Sequence, residues 1–217
     1  MQRLRIKFSR REEIKFISHL DIVRLWQRTF NRAGIQIAYS SGFTPHPRIS
    51  LAAPLPIGVT SESELMDVVC IRGVAPHFFV NAVNRQLPEG INTDKVYPIG
   101  LELPSLQSQL IKAEYKVRVN TETGLEDISK SIDNLLALEH LEWQHLRDTG
   151  PKKYDLRALI DDIKVLDWDS PIGTLWMRLS CGAKGSGRPE QVTAALGCIQ
   201  RPESIHRTQL ILQTRSS

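Results

Sequence analysis

Cysteine is scarce in this 217-residue chain, and Cys70, Cys181 and Cys198 lie far apart. They make neither a CxxC pair nor the closely spaced triplet that an iron–sulfur cluster needs, so the chain holds no such cluster by itself and its cysteines read as small buried hydrophobes. No apolar run approaches the roughly 18 residues of a membrane span. The N-terminal MQRLRIKFSRREE carries charges every few positions where a signal peptide would be apolar, so a cytoplasmic protein with no membrane partner is expected. HExxH, GxSxG and EF-hand patterns are missing. The glycine-rich CGAKGSGRPE fits neither the dinucleotide fingerprint nor the Walker loop, so no cofactor is expected. The aromatic signature of RNA-recognition motifs is missing too.

What remains is an ordinary globular composition, 41% hydrophobic and 24% charged, enough to bury a core in one large domain or two small ones. The charge is unevenly placed. Residues 1–60 hold ten Lys and Arg against three acids, 10 − 3 = +7, while the other 157 balance at 18 − 21 = −3. Nucleic acid is the commonest partner for a basic end of this kind, although an acidic protein surface would be met the same way.

Five of those ten lie between Ile14 and Gly58, where almost nothing is acidic. Ser18 followed by Asp21 has capping-box spacing and predicts a helix from His19. Leu20, Val23, Trp26, Phe30 and Ala33 then recur on one face, and Gly34 ends the helix as a left-handed residue. Arg24, Arg28 and Arg32 follow one another at single-turn spacing on the other side, where like charges cost a few tenths of a kcal/mol per pair. An anion would relieve that repulsion; a solvated face would tolerate it. In Gly42-Phe43-Thr44-Pro45-His46-Pro47-Arg48, two prolines restrict His46 to an extended conformation. His46 and His19 are the acid/base candidates, each equally readable as a turn or helix-start residue. His19, Asp21 and His46 are a poor metal set, because His19 and Asp21 point in different directions at a helix start.

Along the chain, strands are expected at Arg3–Phe8, Ile35–Tyr39, Arg48–Ala53, Glu64–Ile71 and Lys95–Ile99, with a second helix opening at Pro76. That order is the split βαβ of ferredoxin-like domains. Leu101–Gln109 reads as a linker. Beyond it, strands at Ala113–Val119, Leu141–Leu146, Tyr154–Ile160, Thr174–Ser180 and Ile205–Leu212, with helices around Ile128–Leu138 and Pro189–Leu196, repeat the pattern. The expected architecture is α+β, two tandem ferredoxin-like (βαββαβ) domains: a basic domain over 1–100, a linker over 101–111 and a second domain over 112–217. Tyr154, Asp155 and Arg157 alternate so that the last two share a face, which suggests a cross-sheet ion pair. Gly182, Gly185 and Gly187 before Arg188 and Pro189 offer a helix N-terminus to phosphate, or simply a hairpin tip.

ISHLD, the helix ending in RAG, and AYSSGFTPHPRISLAAPLPIGVTSESELMDV resemble the bacterial family of radical-SAM-linked proteins, domain of unknown function 2344. KKYDLRALI at 152–160 and GRPEQV at 187–192 resemble its later signatures. The resemblance implies a genomic or covalent link to a radical-SAM enzyme, often near a ribonuclease of the E/G type and ribosomal proteins, and it implies no activity. Two functions follow. The first is an RNA-binding specificity module that grips tRNA or rRNA through Arg24, Arg28, Arg32, Arg48 and Arg188 for a radical-SAM partner, with no DNA expected. The second is a metal-independent endoribonuclease in which His46 or His19 takes the 2′-hydroxyl proton. Docking of the basic face on an acidic partner protein, without RNA, is a lesser reading.

Overall fold

The computed structural model describes residues 1–147, 150–182 and 185–213. The protein is mixed α+β, with one unit built on Met1–Leu110 and another on Ile111–Ile211.

In the first unit the order is β1 (Gln2–Arg10), α1 (His19–Arg32), β2 (Ile49–Leu51), β3 (Thr60–Cys70), α2 (Pro76–Asn84), β4 (Ile91–Ile99) and α3 (Leu106–Gln109). The strands lie in the order β2-β3-β1-β4 with every neighbouring pair antiparallel. Alternation along β1 sends Leu4, Ile6 and Phe8 to one face, where they meet Ile22, Trp26 and Phe30 of α1 and Phe79 and Val83 of α2. Phe8 meets Trp26 edge-on at 5.0 Å, Trp26 stacks on Phe30 at 5.5 Å, and Phe30 reaches Phe79 at 5.7 Å. The chain of four rings ties both helices to the sheet with contacts worth up to about 1 kcal/mol each beyond their burial.

The other face of the same sheet holds charge. Arg5 and Asp67 are cross-strand partners, and Arg5 donates to both carboxylate oxygens, at 2.8 and 3.0 Å. Arg3 places two donors on Asp67 Oδ2, at 3.2 and 2.7 Å, and reaches the carbonyls of Leu103 and Pro104. Asp67 is only 2% exposed and Arg5 only 5%. Burial works against the Arg5 charge, yet the hydrogen bonds and field of Asp67 outweigh it and hold the guanidinium above its ordinary value. The segment expected as a linker is therefore fastened over β1, and Gln107 secures it further through Ser50 and the Leu51 carbonyl.

The second unit runs β5 (Leu110–Asn120), α4 (Leu125–Ala137), β6 (Glu142–Arg147), β7 (Gly150–Asp155), β8 (Ile160–Asp169), β9 (Ile172–Gly182), β10 (Gly185–Ser186), α5 (Pro189–Ala195) and β11 (Ser204–Leu212). Its sheet has the order β10-β9-β5-β11 with β8 also on β9, while β6 and β7 form a separate two-stranded ribbon. Tyr115, Val117 and Val119 of β5, Met177 and Leu179 of β9, Ile128 and Ile132 of α4 and Val192 of α5 are buried.

Several expectations are corrected. Ile35–Tyr39 is not a strand: only isolated bridges, Ile37 to Cys70 and Tyr39 to Pro47, form there. Leu141–Leu146 lies outside the main sheet, and Tyr154–Ile160 straddles a turn between β7 and β8. Strand β8 itself escapes an alternation test because irregularities between Ile160 and Asp162 and between Val165 and Asp167 shift its register. Asp155 and Arg157 make no cross-sheet pair. Asp155 accepts from the amides of Leu141 and Arg157 and pairs with His140, while Arg157 donates to the Leu136 and Ile160 carbonyls and so closes the end of α4. The amide of Leu141 first, and His140 after it, hold the Asp155 carboxyl below its usual range.

Two substitutions test this packing. Asp67→Asn leaves two buried guanidinium groups without their counter-charge, and urea unfolding should show a loss of about 3–5 kcal/mol, much of it recovered when Arg3, Arg5 and Asp67 are replaced together by apolar residues. A loss below about 1 kcal/mol would remove the cluster from the account of stability. Gly173→Ala should lower the thermal midpoint of unfolding by several degrees. A Cβ at Gly173 would stand 2.2 Å from the Trp168 ring, whose Nε1 is anchored on the Thr123 carbonyl.

Candidate nucleic-acid interface

Helix α1 begins where its cap predicts. The Ser18 hydroxyl accepts from the Asp21 amide and donates to the Asp21 carboxylate at 2.7 Å. The Ser18 bond first, and then Arg24 and Arg28, hold Asp21 below the usual carboxylate range. The helix ends at Arg32, and Gly34 follows at φ +71°, where a side chain would be strained. The buried face is Ile22, Trp26, Thr29 and Phe30; Leu20, expected inside, is 66% exposed.

The arginines lie outside, as their spacing requires, but their surroundings differ. Arg24 pairs with Asp21 at 3.2 Å across a well-exposed contact. Arg28 makes no hydrogen bond or salt bridge among the described residues. Arg32 donates to the Gln86 carbonyl at 3.0 Å and borders an open cleft of about 450 Å³ shared with Phe78 and Arg85. Arg32 therefore sits near the C-terminal ends of two helices, where backbone dipoles already favour a cation. At 3.6 residues per turn the three arginines sweep about 80° around α1, about 40° between each successive pair.

Residues 39–47 form a lobe standing out of a sheet edge. The edge against β3 is built from two pieces: the amide of Ala38 donates to the Val69 carbonyl, and the amide of Val69 donates to the Arg48 carbonyl. The Arg48 amide donates in turn to the Ala38 carbonyl at 2.8 Å, which closes the neck. Above it Tyr39 bridges Pro47, the Ser40 amide donates to the His46 carbonyl, and the His46 amide donates to Ser40 Oγ. Pro47 has no amide hydrogen, so the edge cannot continue as a regular strand through it. The lobe abuts α1, because Gln27 Nε2 donates to the Tyr39 hydroxyl at 3.1 Å. Gln27 lies one turn after Arg24, so Arg24 and the lobe share one surface of the first unit.

His46 and Arg48 are exposed, and the Arg48 guanidinium points to Met1 Sδ at 4.0 Å. His19 is half-buried at the first turn of α1. Among the described residues no carboxylate or carbonyl orients either imidazole, and no group of three His, Cys, Asp or Glu side chains stands ready for a metal. All three cysteines are buried, and burial pushes the Cys70 thiol up to about 11. Arg188 belongs to the second unit, where it is exposed and stands at the N-cap position of α5. Gly187 in the same loop is explained by packing: a Cβ there would stand 3.0 Å from both the Leu159 carbonyl and Leu179 Cβ. Ala183 and Lys184 of that loop lie outside the described residues.

Two features escaped sequence reasoning. Arg3, Arg5 and Arg10 were counted with the basic end, yet all three are buried. Aromatic side chains of the lobe were also overlooked: Tyr39 is 44% exposed and Phe43 fully exposed. The signal for Phe43 was a bulky apolar residue set between Gly42 and Thr44-Pro45 in an otherwise polar turn.

No helix among the described residues is long and apolar enough to cross a membrane. No curated protein matches the chain. Among solved structures, a Cbf5–Nop10–Gar1 complex matches 95% of this chain and 48% of its own at a TM-score of 0.56 and 9% identity. An H/ACA RNP bound to a substrate RNA containing 2′-deoxyuridine matches 95% of this chain and 47% of its own, at a TM-score of 0.51 and 10% identity. The chain thus spans about half the length of these solved chains, and at such identities the likeness is one of fold. A family model for an uncharacterized protein conserved in bacteria matches residues 3–189, so the chain belongs to that family, DUF2344.

Proposed function

We propose that the chain is an RNA-binding accessory module that holds a tRNA or rRNA for a radical-SAM RNA-modifying enzyme. The observation that carries the RNA part is the surface formed by α1 and the 39–47 lobe. Arg24 and Arg28 face solvent there next to a lobe that ends in Arg48, and the one carboxylate of α1, Asp21, is spent on the helix cap and on Arg24. Phosphates are the ligand that such exposed, weakly partnered guanidinium groups suit best. The fold supports the same reading, since one of the solved assemblies sharing it is bound to a substrate RNA. Arg32 contributes from the end of α1, and Arg188 is the cation offered by the second unit.

The ferredoxin-like description belongs to this proposal as well. Its support is the strand order β2-β3-β1-β4 in the first unit and the order β8-β9-β5-β11 in the second, each with two helices after its first and third strands. The radical-SAM partner rests on the family resemblance alone, and so does cytoplasmic placement on the charged N-terminus. The endoribonuclease reading draws no support from the geometry, because an acid or base needs an orienting neighbour and neither His46 nor His19 has one among the described residues.

Replacing Arg24, Arg28 and Arg32 by glutamate should weaken RNA binding strongly and lower the slope of log affinity against log salt by about 2–3, one phosphate contact per arginine lost. His46→Ala should leave affinity within about twofold, because the attraction to phosphate in this reading comes from the arginines. Filter binding at three or more salt concentrations reads both. An unchanged slope after triple reversal would refute the placement of the site on α1, and RNA cleavage abolished by His46→Ala would replace the accessory reading with the catalytic one.

A further inference from the structure

Of the six phenylalanines, Phe8, Phe30 and Phe79 are buried in the core, whereas Phe43 at the tip of the lobe is fully exposed. Its ring gains nothing from the fold, since none of the described residues covers it. It is nevertheless held on a stiff mount. Pro45 and Pro47 restrict the backbone on one side, and the paired bonds between Ser40 and His46 close the loop beneath it. The neck of that mount is tied through Tyr39 to Gln27, one turn after the exposed Arg24 of α1. Phe43 lies four positions after Tyr39, so its Cα stays within about 14 Å of the neck even at full extension.

The chain on either side of it carries charge of one sign. From Ile22 to Ser61, a run of 40 residues, there is no carboxylate, and Arg48 flanks the lobe. An exposed ring beside phosphate-seeking cations, with no acidic side chain on its own loop to repel an anion, suits one class of ligand: an unpaired nucleotide whose base stacks on the ring while its backbone meets the arginines. A stacked duplex offers no free base face and would meet only the cations. We propose that Phe43 is a base-stacking residue, and that the lobe selects RNA carrying an unpaired nucleotide beside the segment gripped by α1. This rests on the RNA-binding reading above and adds to it the class of RNA recognised.

The test uses the full chain and two probes of the same sequence, a single-stranded 12-nucleotide RNA with one central 2-aminopurine and its blunt duplex. The wild-type chain should bind the single strand more tightly than the duplex and quench the 2-aminopurine. Phe43→Ala should weaken single-strand binding about tenfold and lose most of the quench, with duplex binding and thermal midpoint unchanged. Phe43→Tyr and Phe43→Trp should behave as wild type, and Phe43→Leu should behave as alanine, because leucine is apolar but has no π-face. Unchanged single-strand affinity and quench in Phe43→Ala would overturn the proposal and leave the arginine reading standing. Full activity of Phe43→Leu would also overturn it, pointing to apolar contact with a protein. Absence of binding to either probe by the wild-type chain would refute the RNA-binding reading together with this one.

Discussion

One carboxylate, Asp67, holds two guanidinium groups out of water on the far side of the first sheet, and much else in that unit follows from it. Strands β1 and β3 cannot slip by one residue without moving Arg5 and Asp67 to opposite faces and sending Leu4, Ile6 and Phe8 out of the core. Arg3 also reaches forward to the carbonyls of Leu103 and Pro104, so the segment after β4 is drawn over the sheet instead of leaving it. A buried pair of this kind contributes little net stability compared with apolar packing, but it is costly to break. Its value is therefore in fixing which residues face which way.

That internal use of charge also decides what the surface can offer. Arg3, Arg5 and Arg10 are all buried, so the basic end of the chain is less basic outside than its composition suggests. The exposed remainder is more concentrated. Arg24 and Arg28 stand on α1, Arg48 at the base of the lobe, and the carboxylates that would offset them are absent from the intervening chain. Arg32 differs from these because the ends of α1 and α2 and the Gln86 carbonyl already account for it. A surface reading that gives all four arginines equal weight therefore overstates Arg32.

The boundaries of α1 were legible in the sequence because their causes are local: a hydroxyl three residues before a carboxylate, and a glycine at the end. Its first-turn facing was not, since Leu20 and Ile22 differ only in what tertiary packing happens to cover. Buried Arg5 and Arg3 were unreadable as such because their partner lies 62 and 64 residues away in the chain. Strand β8 was lost for another reason, its two register shifts cancelling the period of 2 on which strand recognition depends. The lobe failed on both grounds. Its two flanks, Gln36–Ala38 and Arg48–Leu51, act as one interrupted edge along β3, and only the fold of β3 shows that they belong together.

The interruption itself has a physical logic. A regular edge strand would have presented its backbone to pairing with another chain, whereas a nine-residue excursion with two prolines removes that hazard and puts side chains there instead. Stiffness matters for what those side chains can do. A long flexible loop that ordered only on binding would lose much of its contact energy to conformational entropy, roughly 1 kcal/mol or more per residue fixed. The lobe is already closed by its neck and by Ser40 and His46, so an aromatic ring at its tip is positioned before any ligand arrives. The arginines and the ring then divide recognition between them. Phosphate contacts give salt-dependent attraction to any RNA, and a single preorganised ring asks whether a base is free to meet it.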